Sequence, residues 1–495
     1  MLNFYPKFIN DLDVHVSTMN AIQRIFKNVI SLSVSKISFS ILSLLLTIFI
    51  ARLLGDVSLG KYSFAITFPK LFLVFMDLGY ETFFIREVSR NKSLTRDYLE
   101  SLLGFRLLLI PVVLLTIAVS INLMGYQENT KFLVYIFSIY YVILSLSSLY
   151  KISFRSFEKM EYEAGILIIS TIFRTSCSVI LLYFGYGLLE IGIVFILSAI
   201  LEFGIGFILN SKLITTAKIN FNYTFIKNTI RLALPFCMLS LFGLVYVKID
   251  TVMLSYIEGD AVVGWYNAAY NLTLTFRSIP LLLMNALFPL LSNYYISSKE
   301  SLKKGFQLSF KYLFSLGLPL SVGIFILADK IILFFYGFGF TESIIALKIL
   351  SWDVLLKFLY ICTQYILIAI NKQKSVGLLI IFTSFFNIVL NLALIPKFSY
   401  IGSGIATLLS ESILLISFLY VSKTNSYHIK IKSFLFQTVI ACAIMILFLN
   451  YFSFLNLFIQ IILSIFIYFV VFIILKGFSK DDITIFKRLL HKKSV

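Results

Sequence analysis

The residues of this chain that could do chemistry are charged side chains placed inside long apolar stretches. The basic residues that lie deepest in such stretches are Lys36, Lys70, Arg174, Arg277, Lys311 and Lys357. The acidic residues at comparable depth are fewer, namely Glu202, Asp353 and Glu411. An ionisable group in a membrane segment costs about 2.5–3.5 kcal/mol on insertion scales, so it normally faces a cavity or a partner. The excess of cations therefore predicts a cavity suited to an anion, particularly phosphate.

Four of these cations are the predicted substrate-binding residues: Arg174, Lys36, Lys70 and Arg277. Arg174 ranks first because it lies near the middle of its apolar stretch and cannot lose its proton. Lys357 follows Asp353 by four residues, a spacing that favours a salt bridge within one helix. Lys311 lies near one end of its stretch, where its side chain could equally reach the membrane interface.

Uncharged polar residues share the helical spacing of the cations. Ser40 follows Lys36 by four residues, and Thr67 precedes Lys70 by three. Asn271 lies 204 residues after Thr67 and Asn267 lies 204 after Ser63, so the same helix face is polar twice. We therefore expect a set of polar residues to line a hydrated cavity: Ser40, Thr67, Asn267 and Asn271.

A further set of ionisable residues is predicted to act as gates or in energy coupling: Lys248, Asp250, Asp77, Glu202 and Glu411. For Lys248 and Asp250 a local charge pair is an equally open interpretation. Cysteine and histidine predict no chemistry, since all four cysteines lie in apolar stretches without metal-ligand spacing and all three histidines lie outside them. No phosphate-binding loop occurs in the sequence either. We expect no catalytic residue, metal or cofactor, and hence not an enzyme.

The composition is that of an integral membrane protein. Hydrophobic residues make up 59% of the chain and charged residues 13%, with a mean hydropathy of +0.95, whereas soluble domains carry about 25% charged residues. Windows of about 20 apolar residues predict about fourteen membrane-spanning helices. They lie near 28–51, 60–83, 101–124, 132–152, 163–184, 188–210, 230–255, 262–292, 306–328, 344–369, 376–395, 400–421, 434–450 and 453–475.

The distribution of basic residues predicts the orientation. The termini and even-numbered loops carry 27 Lys and Arg residues, and the odd-numbered loops carry 5. By the positive-inside rule, both termini are cytoplasmic. The same distribution accounts for much of the net charge of +18, so nucleic acid is not an expected partner. Residues 1–27 have no apolar core typical of a cleaved signal peptide.

A repeated phrase predicts that the chain is built from two related halves. Gly55-Asp56, Gly60 and Tyr62 return 204 residues later as Gly259-Asp260, Gly264 and Tyr266. In a second echo, Gly192-Ile193 returns as Gly404-Ile405, 212 residues later. Six predicted spans separate the copies, which indicates two parallel six-helix repeats. The predicted divisions are a cytoplasmic segment 1–27, an N-lobe 28–211, a C-lobe 228–422, a peripheral helix pair 433–476 and a basic cytoplasmic tail 477–495.

Several motifs, taken in order, resemble a known family. The run Ala51-Arg52-Leu53-Leu54-Gly55, followed by Asp77-Leu78-Gly79 and Arg86-Glu87, resembles the opening of the Wzx-type polysaccharide biosynthesis flippases of the MOP superfamily. Asp250-Thr251 with Gly259, Gly264, Tyr266, Ala269, Pro289 and Ser292 resembles the family's second-lobe signature. Asn387, Asn391, Ile395-Pro396 and the run Gly402-Ser403-Gly404-Ile405-Ala406-Thr407 resemble its signature for spans 11 and 12. The resemblance covers roughly residues 25–475.

This resemblance implies MATE-like lobes in the cytoplasmic membrane and a carrier function. Family members move a polyprenyl-(pyro)phosphate-linked oligosaccharide from the inner to the outer leaflet by alternating access, for surface polysaccharide or glycan assembly. The partners implied are that lipid, membrane lipid and polysaccharide polymerases or glycosyltransferases, with the carrier as a monomer. The phosphate would bind the cations named above, whose choice rests on their spacing and not on a family motif.

The sequence also has features that bear on other functions. A MATE-type cation-coupled multidrug exporter would favour an acidic cavity, whereas the deep acids here are outnumbered. A lipid II flippase for peptidoglycan would use spans 13 and 14 in a groove, and residues 433–475 carry no charge. A polymerase or ligase acting on the same lipid would need a long outer loop, and every predicted outer loop is short. A passive scramblase is a further alternative.

Overall fold

The structure is a computed structural model that describes residues 21–478 except 222 and 431. The side chains at 21–26, 223–236, 239 and 432–433 are outside that description. Most of the predicted cytoplasmic segment 1–27 and nearly all of the predicted tail 477–495 lie outside the described residues as well. Within the described ranges, all regular secondary structure is helical, so the predicted all-α class is confirmed.

The helices follow one another with short connections. The first half contains α1 (Ala21–Asp77), α2 (Tyr80–Arg90), α3 (Thr95–Leu123), α4 (Glu128–Ser156), α5 (Met160–Tyr183), α6 (Leu188–Leu213) and α7 (Tyr223–Glu258). The second contains α8 (Asp260–Phe276), α9 (Ser278–Ser297), α10 (Lys299–Phe335), α11 (Ser343–Ala369), α12 (Gln373–Thr424), α13 (Lys432–Tyr451) and α14 (Leu457–Ile474). Short 3₁₀ turns lie at Lys92–Leu94 and Phe338–Phe340.

Eleven segments of the described chain are long and apolar enough to cross a membrane. The number is below the predicted fourteen partly because two helices continue through a bend. Helix α1 passes a non-helical Gly55, with φ 84°, and α12 passes a non-helical Ser399, with φ 52°. Each of these helices therefore contains two predicted spans. Helix α11 covers the predicted span 344–369 but is not among the eleven, and the count of fourteen stays a prediction.

The chain forms two compact units, residues 1–264 and 265–495. In the first unit, α1 packs against α3, α4, α5 and α7, and α4 packs against α6. In the second, α11 packs against both α10 and α12, while α13 and α14 pack against α10. Val322 and Leu327 of α10 join a buried apolar cluster with residues of that C-terminal pair. The lobe boundaries given above stay a prediction.

The two units contain the same kind of helix contact at positions related by the repeat. A Cβ on Gly192 would lie 2.6 Å from Cγ2 of Ile136, and a Cβ on Gly404 would lie 3.1 Å from Cγ2 of Ile349. Glycine thus lets α6 approach α4 in the first unit and α12 approach α11 in the second. Tyr62 packs edge-on against Phe195 with ring centroids 6.1 Å apart. Its repeat counterpart, Tyr266, hydrogen bonds to Thr407 at 3.3 Å, at the position equivalent to Phe195.

The two copies of the repeated phrase contact each other reciprocally within the first unit. Their first glycines both have a positive φ, 84° at Gly55 and 91° at Gly259, a region that glycine enters without strain. A Cβ on Gly60 would lie 1.7 Å from the backbone oxygen of Asp260, and a Cβ on Gly264 would lie 2.2 Å from that of Asp56. Because no side chain fits in either place, this approach requires glycine at both.

Candidate functional site

Arg174 lies in the interior of the first unit among side chains from three other helices. Helix α5 carries it, and the residue is 6% exposed. Its Nη1 donates a hydrogen bond of 2.9 Å to the hydroxyl of Tyr140 on α4. The guanidinium lies 4.8 Å from the ring centroid of Phe195 on α6 and 5.3 Å from that of Phe39 on α1. Aromatic faces attract a guanidinium through their quadrupole, so these rings stabilise the cation without removing its charge.

The positive charge of Arg174 has no acidic counterpart among the described residues. Its contacts are the hydroxyl of Tyr140 and the two rings, and its Nε is buried without a hydrogen-bond partner. When a donor of a charged group is buried without a hydrogen bond, the folded state loses free energy of stabilisation. Buried charged residues with unmet hydrogen bonds are candidates for a role in binding. This arrangement is suited to receiving an anion.

Glu202 on α6 already has a basic partner. Its Oε1 accepts a hydrogen bond of 2.6 Å from Nζ of Lys151, and its Oε2 accepts one of 2.9 Å from Ser170. Ser147 donates a longer one of 3.4 Å. Glu202 is a predicted gate or coupling residue, whereas Lys151 lies at the end of the predicted span 132–152. The pair joins α4 to α6, which no spacing along one helix could indicate.

Asp77, another predicted gate or coupling residue, pairs with a buried arginine. Nη2 of Arg106, a residue 1% exposed, lies 3.2 Å from Oδ1 of Asp77 and 3.6 Å from Oε1 of Glu81. The same guanidinium donates to the hydroxyl of Ser148 at 2.7 Å and to the carbonyl of Ser145. Helix α1 ends at Asp77, so this ion pair ties the end of α1 to α3 and α4. Nε of Arg106 is buried without a hydrogen-bond partner, but its charge, unlike that of Arg174, is met by two carboxylates, which fits a structural role.

The second unit contains a buried cluster in which the charges are balanced. Nζ of Lys357 donates to Oδ2 of Asp353 one turn earlier on α11, and both side chains are buried. Lys357 also lies 5.2 Å from the ring centroid of Tyr270. This is the ion pair that the four-residue spacing predicts. Arg277, at the start of α9, has its Nε buried and unbonded and interacts electrostatically with Glu411 and Asp353.

The remaining predicted site residues occupy different environments. Lys36 is exposed and Lys70 half-buried on α1, and neither makes an ion pair within the described part of the chain. No described hydrogen bond or ion pair joins either lysine to Arg174. Among the polar residues, Thr67 and Asn267 are buried and Ser40 and Asn271 are half-buried. Lys248 is half-buried and Asp250 buried, and each has interactions of its own.

Tyr140, Phe39 and Phe195 do not stand out in the sequence, because aromatic residues are common along this chain. The internal repeat could have pointed to Tyr140. Tyr140 follows Ile136 by four residues and Asp353 follows Ile349 by four, and these two isoleucines make the same glycine contact in their own units. Tyr140 and Asp353 therefore occupy equivalent positions on α4 and α11. Each accepts a hydrogen bond from a buried cation.

Comparisons with known proteins give a consistent picture. A family model described as "Polysaccharide biosynthesis protein" matches residues 25–295, more than half of the chain, and the MatE model matches residues 235–393. Among curated proteins, the chain is similar to the "Probable flippase AglR" of Haloferax volcanii, with 26% identity over 176 residues. That match covers 34% of this chain and 36% of the relative, so it spans about a third of the relative's length.

Two solved structures have the same fold. The lipid II flippase MurJ, in an inward closed conformation, aligns with a TM-score of 0.76 and 20% identity, covering 90% of this chain and 98% of that one. An inward-facing multidrug resistance MATE family transporter of the MOP superfamily aligns with a TM-score of 0.64 and 15% identity, covering 78% and 96%. At these identities the likeness concerns the fold.

Proposed function

The chain belongs to the polysaccharide biosynthesis protein family, within the MOP superfamily of transporters, and from that membership we propose that it is a flippase for a lipid-linked glycan. Its substrate is a polyprenyl-(pyro)phosphate-linked oligosaccharide, moved from the inner to the outer leaflet of the cytoplasmic membrane by alternating access. Both termini are cytoplasmic in this proposal. Polysaccharide polymerases or glycosyltransferases would make or consume the substrate, and the carrier works as a monomer that makes or breaks no covalent bond.

The proposal rests on one observation: the predicted cations of the first unit make no ion pair with a described residue, whereas two of its predicted gate or coupling acids, Asp77 and Glu202, have basic partners. Arg174, Lys36 and Lys70 make no ion pair with a described residue. Asp77 is paired with Arg106 and Glu202 with Lys151. The charge left over for a ligand is thus positive. A phosphate group supplies the negative charge and the hydrogen-bond acceptors that such cations lack.

The rival substrates make different demands on these residues. An organic cation would be attracted by an unpaired acid, and both acids named above are neutralised by a basic partner within hydrogen-bond distance. Lipid II carries a polyprenyl pyrophosphate like the proposed substrate, so the cations alone do not separate the two. The chemistry of the glycan or peptide headgroup separates them.

The test is mass spectrometry of the lipids that stay bound to the protein purified in mild detergent. We expect a polyprenyl-linked phosphate oligosaccharide, enriched over an unrelated membrane protein and depleted in the Arg174→Ala variant. Lys131→Ala is the matched control, since Lys131 already has an acidic partner in the exposed Glu128, and it should retain the lipid. Recovery of a muropeptide headgroup would point to lipid II transport. Bulk phospholipid alone, together with binding of organic cations, would contradict the proposal.

A further inference from the structure

We propose that Tyr140 is a positioning residue that holds Arg174 toward the phosphate of the substrate while leaving its charge uncompensated, so that residue 140 sets the charge preference of the first unit. This inference rests on the proposed function and extends it to one position that determines specificity. The observation behind it is the different residue at the equivalent place in the second unit, Asp353.

The ring of Tyr140 is fixed by its neighbours. Its centroid lies 4.9 Å from that of Tyr141, 5.2 Å from that of Phe195 and 6.4 Å from that of Phe137. The residue is 4% exposed, so the hydroxyl has little freedom to move away from Arg174. A side chain packed on several sides holds its hydrogen-bond partner at a defined position.

The contacts of Arg174 leave one part of the guanidinium for a ligand. Nη1 is bonded to Tyr140, the two rings lie against the group, and Nε is closed off. Of the five guanidinium N–H groups, the second one on Nη1 and the two on Nη2 therefore remain. A phosphate oxygen could accept from Nη2 while the hydroxyl of Tyr140 keeps Nη1 in place.

The chemistry of the acceptor decides whether Arg174 stays attractive to an anion. A phenol has an ordinary pKa of about 10 and is neutral at physiological pH, so it accepts a hydrogen bond without cancelling the positive charge. A carboxylate at the same position would cancel it, as Asp353 does for Lys357 in the second unit. Glu202, which also faces Tyr140, is bonded to Lys151 and Ser170. It therefore leaves Arg174 uncompensated.

The decisive variant is Tyr140→Asp, which gives the first unit the acid found in the second. The probes are undecaprenyl phosphate and undecaprenol, titrated against the full chain in detergent and followed by native mass spectrometry. We expect the wild type to prefer the phosphate, and Tyr140→Asp to bind it roughly 10- to 100-fold more weakly. Binding of undecaprenol should be unchanged. A merely structural defect would weaken both ligands together.

The control for added negative charge is Tyr135→Asp. Tyr135 is a tyrosine on the same helix whose hydroxyl bonds to Asn122 and not to Arg174. The Tyr135→Asp variant changes the net charge of the protein as much as Tyr140→Asp does, and we expect it to retain the preference for phosphate. Loss of preference in both variants would show a general charge effect and overturn the role of Tyr140.

The other outcomes separate the inference from the function on which it rests. A wild type without preference for undecaprenyl phosphate contradicts the proposed function itself. A folded Tyr140→Asp that keeps the preference overturns the inference alone. Should that variant fail to fold, Tyr140→Phe decides, because it removes only the hydroxyl. We expect it to weaken phosphate binding about 3- to 10-fold and leave undecaprenol unaffected, and unchanged phosphate binding would overturn the inference.

Discussion

The two compact units treat a buried cation in opposite ways. In the first, Arg174 is held by the neutral hydroxyl of Tyr140 and by aromatic rings. In the second, Lys357 is held by the carboxylate of Asp353 on its own helix. Both acceptors follow the isoleucine that packs on the glycine contact of their unit by four residues. The two units therefore share the helix contact, but the acceptor that follows it is neutral in the first unit and negatively charged in the second.

This difference separates a charge used for stability from a charge available to a ligand. A buried ion pair leaves each partner dependent on the other, because removing one exposes the uncompensated charge of the second. A cation held by neutral groups keeps its attraction for an outside anion. Duplication supplies two copies of the same helix contacts, and single substitutions on those contacts allow the copies to diverge in function.

The largest effect should come from breaking the balanced pair. Asp353→Ala leaves Lys357 buried without its bonded acid, a change that typically costs about 3–5 kcal/mol in the free energy of unfolding. Glu411 also interacts electrostatically with Lys357, so we expect the lower end of that range. Thermal unfolding in detergent, followed by intrinsic fluorescence, measures it.

The matched control is Glu128→Ala, which breaks an exposed pair with Lys131 and should cost about 0–1 kcal/mol. Combining Asp353→Leu with Lys357→Met should restore stability, since apolar residues of similar volume often replace a buried pair without loss. An unaltered melting temperature in Asp353→Ala would mean that the pair of the second unit is not needed for stability.

Removing the cation of the first unit, Arg174, should affect transport more than stability. Arg174→Ala removes a cation without stranding an acid, so its melting temperature should fall less than that of Asp353→Ala. We expect the rate of lipid-linked glycan export to fall roughly 10- to 100-fold. This range corresponds to the loss of about 1.5–3 kcal/mol, the typical contribution of hydrogen bonds to a charged group. Export is measured in cells at matched protein level.

Arg90→Ala serves as the control for that variant, because Arg90 is an exposed arginine beside Glu87. Its export should equal that of the wild type. Wild-type export in Arg174→Ala would remove Arg174 from the binding site and, with it, the functional difference between the two units.

Two glycine substitutions test whether the equivalent helix contacts of the two units are equally tight. Gly192→Ala puts a Cβ 2.6 Å from Ile136, whereas Gly404→Ala puts one 3.1 Å from Ile349. The first requires a real displacement and should cost about 1–3 kcal/mol. In both variants the helix gains about 0.5–1 kcal/mol from alanine, and in the second this gain offsets the smaller clash. Thermal unfolding compares the two, and Ile136→Ala should rescue Gly192→Ala. Equal shifts would show that the contacts tolerate crowding alike.

The smallest effect concerns an exposed cation. Lys36 lies on α1 and, unlike Arg174, is not buried by its neighbours, so water and salt in a hydrated cavity would screen its attraction for an anion. We expect Lys36→Gln to weaken binding of undecaprenyl phosphate less than about threefold, and the difference to vanish near 1 M salt, where the Debye length is about 3 Å. Lys36→Arg is the charge-preserving control. A loss as large as that of Arg174→Ala would place the main phosphate contact on α1.

Features with a period along the chain could be predicted from the sequence. Apolar windows predict the helical class, and the helices of the structure confirm it. The four-residue spacing of Asp353 and Lys357 predicts their ion pair, since residues four apart lie on one helix face. The repeated glycines predict the duplication, and their counterpart contacts in the two units agree with it. The excess of basic over acidic residues deep in the apolar stretches can also be read from the sequence.

Contacts between helices were decided by the tertiary structure. Glu202 meets Lys151 across 51 residues, and Arg106 meets Asp77 across 29. The neutral acceptor of Arg174 comes from a helix 34 residues earlier. Spacing fixes which face of a helix a side chain occupies, but not how that helix is rotated and shifted against its neighbours. Packing of close glycine contacts and bulky rings sets that rotation, and it determined which of the described buried charges have an ionic partner.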